Sequence, residues 1–194
     1  MKIYQYKDYD EYVASQIEAN IRKIKNIWVE KKTIQEISRQ HGPANTILCH
    51  GTRNAAEQKY FKDFYPDAEV LGTEISPTAT NFPLTMQWDF NQVNEEWIGE
   101  YDIVYSNAFD HSCDPKQTLS IWKEQLTPTG RIYLEHGYSN IDNEARASDP
   151  LEIYEEDLNE LFAELGLDIV NTFESTGVKG VCPCKIYILK SNND

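Results

Sequence analysis

The chain reads as one α/β domain built on a mostly parallel sheet, and three observations predict this. From residue 45 onward, short apolar segments alternate with helix-compatible ones, and a strand that leads through a helix to the next strand runs parallel to it by a right-handed crossover. The stretch Thr46-Ile-Leu-Cys-His-Gly-Thr-Arg-Asn-Ala-Ala-Glu57 carries apolar residues into a glycine and straight on into a helical pattern, which is the signature of a buried strand, a tight turn and a helix. At 194 residues the chain is long enough for one full core and too short for two ordinary domains.

Taking the elements in order, Asp8 and Asp10 are capping candidates for a helix over residues 9–31. Tyr12, Val13, Ile17, Ile21, Ile24, Ile27 and Trp28 recur on one face of it, and Glu18, Arg22, Lys23 and Lys25 on the other. A second helix starts at Thr33, whose hydroxyl caps while Glu36 reaches back, and it ends near His41-Gly42-Pro43. Residues 1–43 are thus a helical extension ahead of the domain at 44–194, acting either as packing against the sheet or as a lid over its crevice. Strands are expected at 46–50, 69–75, 84–87, 101–106 and 131–135, with helices at 54–65 and 115–126 and a turn at Thr127-Pro-Thr-Gly130. After a polar loop from Gly137 to Pro150, a helix over 153–165 ends at Gly166, the left-handed cap position. Strands at about 167–174 and 185–190 follow with no helix between them, which predicts an antiparallel hairpin.

Composition narrows the partners. The formal charge is −14, from 18 basic and 32 acidic residues with no basic run, which argues against a nucleic-acid backbone or an anionic membrane surface. No apolar stretch approaches the roughly 20 residues that cross a bilayer, and Met1-Lys-Ile-Tyr-Gln-Tyr6 lacks a signal-peptide core, so a soluble cytoplasmic protein is expected. Of the four cysteines, Cys49, Cys113, Cys182 and Cys184, only the last two are close, and Cys182-Pro-Cys184 is neither a redox motif nor half of a zinc site. Reduced thiols and no bound metal are the expectation.

The chemistry gathers at strand ends. A helix beginning at the carboxyl end of a strand aims unpaired N–H groups and a positive dipole into the crevice, which suits a nucleotide-like ligand near Gly51. Glu74 ends the next strand about 20 residues on, and its two oxygens match the vicinal hydroxyls of a ribose. Trp88-Asp89-Phe90 follows the third strand, and Tyr101-Asp-Ile-Val-Tyr-Ser-Asn-Ala-Phe-Asp-His-Ser-Cys-Asp-Pro115 carries the fourth. With the segments 126–135 and 152–166 and the final hairpin, these motifs resemble the class I S-adenosylmethionine-dependent methyltransferases over residues 44–190.

The resemblance implies a three-layer Rossmann-like sheet of seven mostly parallel strands, in the order 3-2-1-4-5-7-6 with the last strand antiparallel. It implies S-adenosylmethionine as cofactor and S-adenosylhomocysteine as product. The implied cofactor residues are His50, Gly51, Thr52, Arg53 and Glu57 at the first turn, Glu74 and Ile75 at the ribose, Asp89 and Phe90 at the adenine, and Asn107 beside the transferable methyl. Where the family usually has an acidic residue and then three glycines at alternate positions, this chain has Cys49, Gly51, Arg53 and Ala55. The turn is similar instead to a variant, Gly-Thr/Ala-Arg-x-Gly/Ala-x-Glu, in which Arg53 and Glu57 are in register. Arg53 then either pairs with the methionyl carboxylate or bridges to Glu57 one helical turn on. Asp89 and Phe90 either hold adenine or serve as turn cap and core. His111 either orients the acceptor and acts as a base or only ties its loop. His111 and Asn107 are the catalytic candidates.

Methyl transfer asks mainly for alignment, because the sulfonium supplies the driving force. The acceptor is expected to be a small molecule chosen by residues 1–40 and the loop 136–152, with His136, Tyr138 and Arg146 as polar candidates. The Asn/Asp-Pro-Pro-Tyr/Phe motif of nucleic-acid amino methyltransferases is replaced by Ser106-Asn107-Ala108-Phe109. Two other functions stay open: a non-catalytic binding or assembly module with this fold, suggested by the altered turn, and a nicotinamide-dependent reductase, disfavoured by the missing GxGxxG.

Overall fold

A computed structural model describes residues 1–137, 144–176 and 183–192. In chain order the elements are β1 (Lys2–Ile3), α1 (Tyr9–Lys23), α2 (Lys31–His41), β2 (Thr46–His50), α3 (Ala56–Phe64), β3 (Glu69–Glu74) and β4 (Thr85–Gln87). Then come β5 (Tyr101–Ser106), α4 (Pro115–Glu124), β6 (Leu126–Gly137), β7 (Leu151–Glu152), α5 (Glu155–Glu164), β8 (Leu167–Ser175) and β9 (Cys184–Ser191). Seven strands form the main sheet in the order β4-β3-β2-β5-β6-β9-β8. Counted along the chain within that sheet, this is the expected 3-2-1-4-5-7-6. β9 runs antiparallel to both of its neighbours, and the other pairings are parallel.

Strand alternation sorts the core into two halves. Leu48, Val104, Ile132 and Leu134 pack against Leu119 and Trp122 of α4 and Leu158 and Phe162 of α5. Ile47, Cys49, Ile103, Tyr105 and Tyr133 face Ile34 and Ile37 of α2 and Phe61 of α3. Three layers result, and the carboxyl ends of β2, β3 and β5 open on one crevice.

The structure departs from expectation in four places. α1 stops at Lys23, with Tyr12, Gln16, Ala19 and Asn20 buried and Ile21, Ile27 and Trp28 of the apolar stripe exposed. Its inward face meets the polar crevice mouth rather than the core, and Asn54 Nδ2 catches the departing chain by donating to the carbonyls of Ile24 and Asn26. α2 begins after Glu30, not at Thr33; the Thr33 hydroxyl is drawn to Ser175 Oγ at 3.0 Å, while Glu36 pairs with Arg39. The turn at 127–130 is absorbed into β6 as a register shift against β5, because Gly130 lies against Tyr101, whose carbonyl oxygen is 2.5 Å from where a Cβ would sit. A second sheet, β1 antiparallel to β7, was not foreseen. The expected hairpin of β8 and β9 is present. Tyr138 and Cys182 lie outside the described residues. Among the described residues no helix is long and apolar enough to cross a membrane.

Candidate active site

The first turn keeps a left-handed backbone where its sequence has lost glycine. φ is +72° at Gly51, +44° at Arg53 and +62° at Ala55, a region that costs residues with a Cβ roughly 1–2 kcal/mol. Gly51 is fixed for a second reason, since a Cβ there would lie 2.5 Å from Ala108 Cβ. The loop is braced by Glu74, whose Oε2 accepts from Arg53 N at 3.1 Å and Oε1 from Ser76 N at 2.9 Å. Among the described residues Arg53 makes no ion pair with Glu57, so that alternative is not realised.

Two adjoining hollows lie above the strand ends. A narrow groove of about 40 Å³ runs between Tyr12, Gln16 and Asn20 of α1 and Glu74, Ile75, Asp89 and Phe90. A larger cavity of about 320 Å³ is walled by Thr52, Glu57, Asn107, Glu135, His136 and Asp149 and roofed by Lys23, Trp28 and Arg146. Gly51, Arg53, Ala108 and His111 line both. All the cofactor and catalytic residues read from sequence except His50 therefore border one hollow or the other.

His50 stands apart. Strand alternation sends its ring to the opposite face from Cys49, where it stacks on Trp122 at 4.9 Å and is 1% exposed. Nε2 meets Gln125 Oε1 at 2.9 Å and Nδ1 meets Thr73 Oγ1 at 3.0 Å, which a neutral ring protonated on Nε2 satisfies. Burial pushes its pKa down to about 4. Its imidazole belongs to the core.

Asp89 and Phe90 take the cap and core positions and also face the groove. Asp89 Oδ1 caps the turn by accepting from Asn91 N at 2.9 Å, and Phe90 packs edge-on against Trp122 in the core, yet both line the groove. The remaining oxygen of Asp89 is taken by α1, for Tyr9 Oη donates to Oδ2 at 2.7 Å.

His111 closes a short 3₁₀ turn, Phe109–His111. Its Nδ1 meets Gln16 Oε1 at 2.9 Å, while Nε2 lies 3.9 Å from both Asp110 Oδ1 and Asp149 Oδ1. Burial raises the Asp149 pKa, but His111, Ser148, Arg146 and Lys23 outweigh it and hold the carboxyl at about 2. Asp110, His111 and Asp149 are close enough to ligate a metal ion. Lys23 at 3.5 Å and Arg146 at 2.7 Å already neutralise Asp149, so the trio fits holding an imidazole better than holding a cation.

The deep wall is acidic. Burial pushes Glu57 and Glu135 each up to about 7. Glu57 Oε1 accepts from Asn107 Nδ2 at 3.4 Å, and among the described residues its Oε2 has no partner. Glu135 Oε2 accepts from Tyr105 Oη at 2.5 Å. Sequence reasoning missed Glu135, Asp149, Gln16 and Asn20. Glu135 left a trace, as an acid closing the otherwise apolar run Ile-Tyr-Leu of a central strand, and Gln16 and Asn20 share a helical face at i,i+4. The link of Asp149 to the site left none, since Lys23 and His111 are brought to it from the end of α1 and the 3₁₀ turn.

The sheet order and layering are those in which S-adenosylmethionine-dependent methyltransferases have been solved, and such structures superpose on the chain. No family model matches the chain, and no curated protein matches its sequence. The 1,6-didemethyltoxoflavin-N1-methyltransferase of Burkholderia thailandensis, bound to its substrate and S-adenosylhomocysteine, matches 97% of this chain and 93% of its own, with a TM-score of 0.72 and 15% identity. The N-methyltransferase NodS of Bradyrhizobium japonicum, bound to S-adenosylhomocysteine, covers 92% of this chain and 100% of its own at a TM-score of 0.66 and 12% identity. Magnesium protoporphyrin IX methyltransferase from Synechocystis, with S-adenosylmethionine, covers 96% and 100% at 0.63 and 14%. At these identities the likeness is one of fold.

Proposed function

We propose that the protein transfers a methyl group from S-adenosylmethionine to a small-molecule acceptor in the cytoplasm, with residues 1–43 as the lid of a methyltransferase domain at 44–194. The observation that carries this is the meeting of groove and cavity at Gly51, Arg53, Ala108 and His111, the point at which a sulfonium between the two would face an acceptor. The bound ligands of the three structural neighbours support the same cofactor.

In this reading the ribose hydroxyls go to Glu74, whose oxygens keep free lone pairs beside their two backbone donors. Adenine lies between Ile75 and Phe90 with its amino group toward Asp89. The methionyl carboxylate pairs with Arg53, and Thr52, Glu57 and Asn107 line that end. His111, its Nδ1 held by Gln16 and its Nε2 side flanked by Asp149, presents Nε2 to the cavity and orients the acceptor there. Sulfonium and acceptor need only be held in line, and most of the rate comes from that alignment.

Calorimetric titration with S-adenosylmethionine and S-adenosylhomocysteine tests this, and no heat and no thermal shift at millimolar ligand would sink it. Glu74→Ala is expected to weaken S-adenosylhomocysteine binding by about tenfold or more, the cost of two hydrogen bonds to a charged acceptor. A second reading, a non-catalytic binding module of this fold, is favoured by Tyr9 occupying Asp89 above so narrow a groove. Turnover on any acceptor removes it.

A further inference from the structure

We infer that the methyl acceptor carries a basic nitrogen and that Glu135 receives it; this rests on the methyltransferase reading above. The sheet order sets the geometry. The groove lies over β3 and β2, on the β4 side, and neighbouring strands are about 4.8 Å apart. Glu135, at the carboxyl end of β6, stands two strands beyond β2 and therefore roughly 10 Å from the first turn, past Asn107 on β5 and away from the adenosine end. What reaches Glu135 is the second substrate.

Glu135 is 5% exposed and lines the cavity. Tyr105 and Cys184 donate to it, but no cation among the described residues pairs with it. The second acid of that wall, Glu57, is equally without an ion pair and has an unpartnered buried oxygen. The basic residues of the cavity are committed elsewhere. Lys23 and Arg146 hold Asp149 at the mouth, and Arg53 sits at the junction with the groove. A buried carboxyl without counter-charge is costly unless it stays protonated or meets a cation. Glu135, raised to about 7 by burial, stands where a cationic acceptor would ionise it, whereas Glu57 faces the amino end of the cofactor. A carboxylate or phosphate acceptor would meet like charge at Glu135, and an alcohol would bring no charge to pair with it.

The chemistry balances without a further reactant. The acceptor arrives as an ammonium paired with ionised Glu135. One N–H proton passes to that carboxylate and the freed lone pair attacks the sulfonium methyl. The N–C bond forms as the C–S bond breaks, giving neutral S-adenosylhomocysteine and an N-methylammonium, and the proton on Glu135 is released to solvent.

The test uses the full-length protein saturated with S-adenosylhomocysteine and three probes matched in shape: tyramine, tyrosol and 4-hydroxyphenylacetate. Tyramine is expected to bind at least tenfold more tightly than the other two by calorimetry. Glu135→Gln should abolish that preference while leaving S-adenosylhomocysteine affinity within about twofold, which also shows that the variant is folded; Glu135→Asp should keep part of it. Absence of an amine preference, or its survival in Glu135→Gln, overturns the inference. Failure of the wild type to bind S-adenosylhomocysteine fails the methyltransferase reading instead, and the amine preference of the cofactor-free protein then stands or falls on the same two variants.

Discussion

Gly51 and Ala55 occupy the same region of backbone space with opposite consequences for substitution. At Gly51 a side chain is blocked both by φ and by Ala108, so Gly51→Ala should cost about 1–3 kcal/mol of stability and end S-adenosylhomocysteine binding, readable by thermal denaturation and calorimetry. At Ala55 the chain already bears the left-handed cost, and Ala55→Gly should stabilise the protein by about 0.5–1 kcal/mol, raising Tm with little change in affinity. The places of these residues were legible in sequence because strand ends and turn glycines define them. The direction of His50 was not. Its orientation follows from which face of β2 it takes, and its partners Trp122 and Gln125 come from more than seventy residues away.

α1 shows what periodicity conveys and what it leaves out. The spacing of Tyr12, Val13 and Ile17 announced a helix, but the face that is buried carries Gln16 and Asn20, because a helix over a crevice mouth is selected for what it offers the ligand as well as for apolar area. Periodicity alone does not distinguish the two demands. Tyr9 Oη holds the Asp89 oxygen that the proposed reading gives to adenine, so Tyr9→Phe should tighten S-adenosylhomocysteine binding by about two- to tenfold, the worth of one partly exposed hydrogen bond to a carboxylate. Unchanged affinity in that variant would mean that the adenine does not use Asp89.

At the scale of the whole molecule the alternation of strands and helices and the helix-free final hairpin were legible in the sequence, while the sheet order came from the resemblance that the strand-end motifs carry. The cavity was legible only in part, because Glu135 and Asp149 come from segments linked to the first turn by the fold alone. The titration of the protein follows from that assembly. Glu57 and Glu135 have folded pKa values raised from 4.5 to about 7, so each takes away stability as pH rises through that window, by up to about 3 kcal/mol. His50, lowered from 6.5 to about 4, acts oppositely: its share is present above the unfolded value and lost as pH falls toward 4. The net profile of the wild type therefore partly cancels, but the difference between Glu57→Gln and wild type should not. The variant should gain on the wild type steadily from pH 4.5 to 7 in denaturant titrations, and a flat difference would contradict the burial of that carboxyl.

The two-residue pairing of β1 with β7 has a consequence in steady-state kinetics. Tyr6, Ser15 and Gln16 all hydrogen-bond the carbonyl of Ala147, so the covering of the groove and the covering of the cavity are spliced into one piece, and whatever lifts one lifts the other. In the proposed methyltransferase reading, two substrates behind a cover that moves as one piece arrive in a compulsory order. Initial-rate patterns should then be those of an ordered sequential mechanism, and Tyr6→Phe combined with Ser15→Ala, which leaves the Ala147 carbonyl to Gln16 alone, should turn the order toward random.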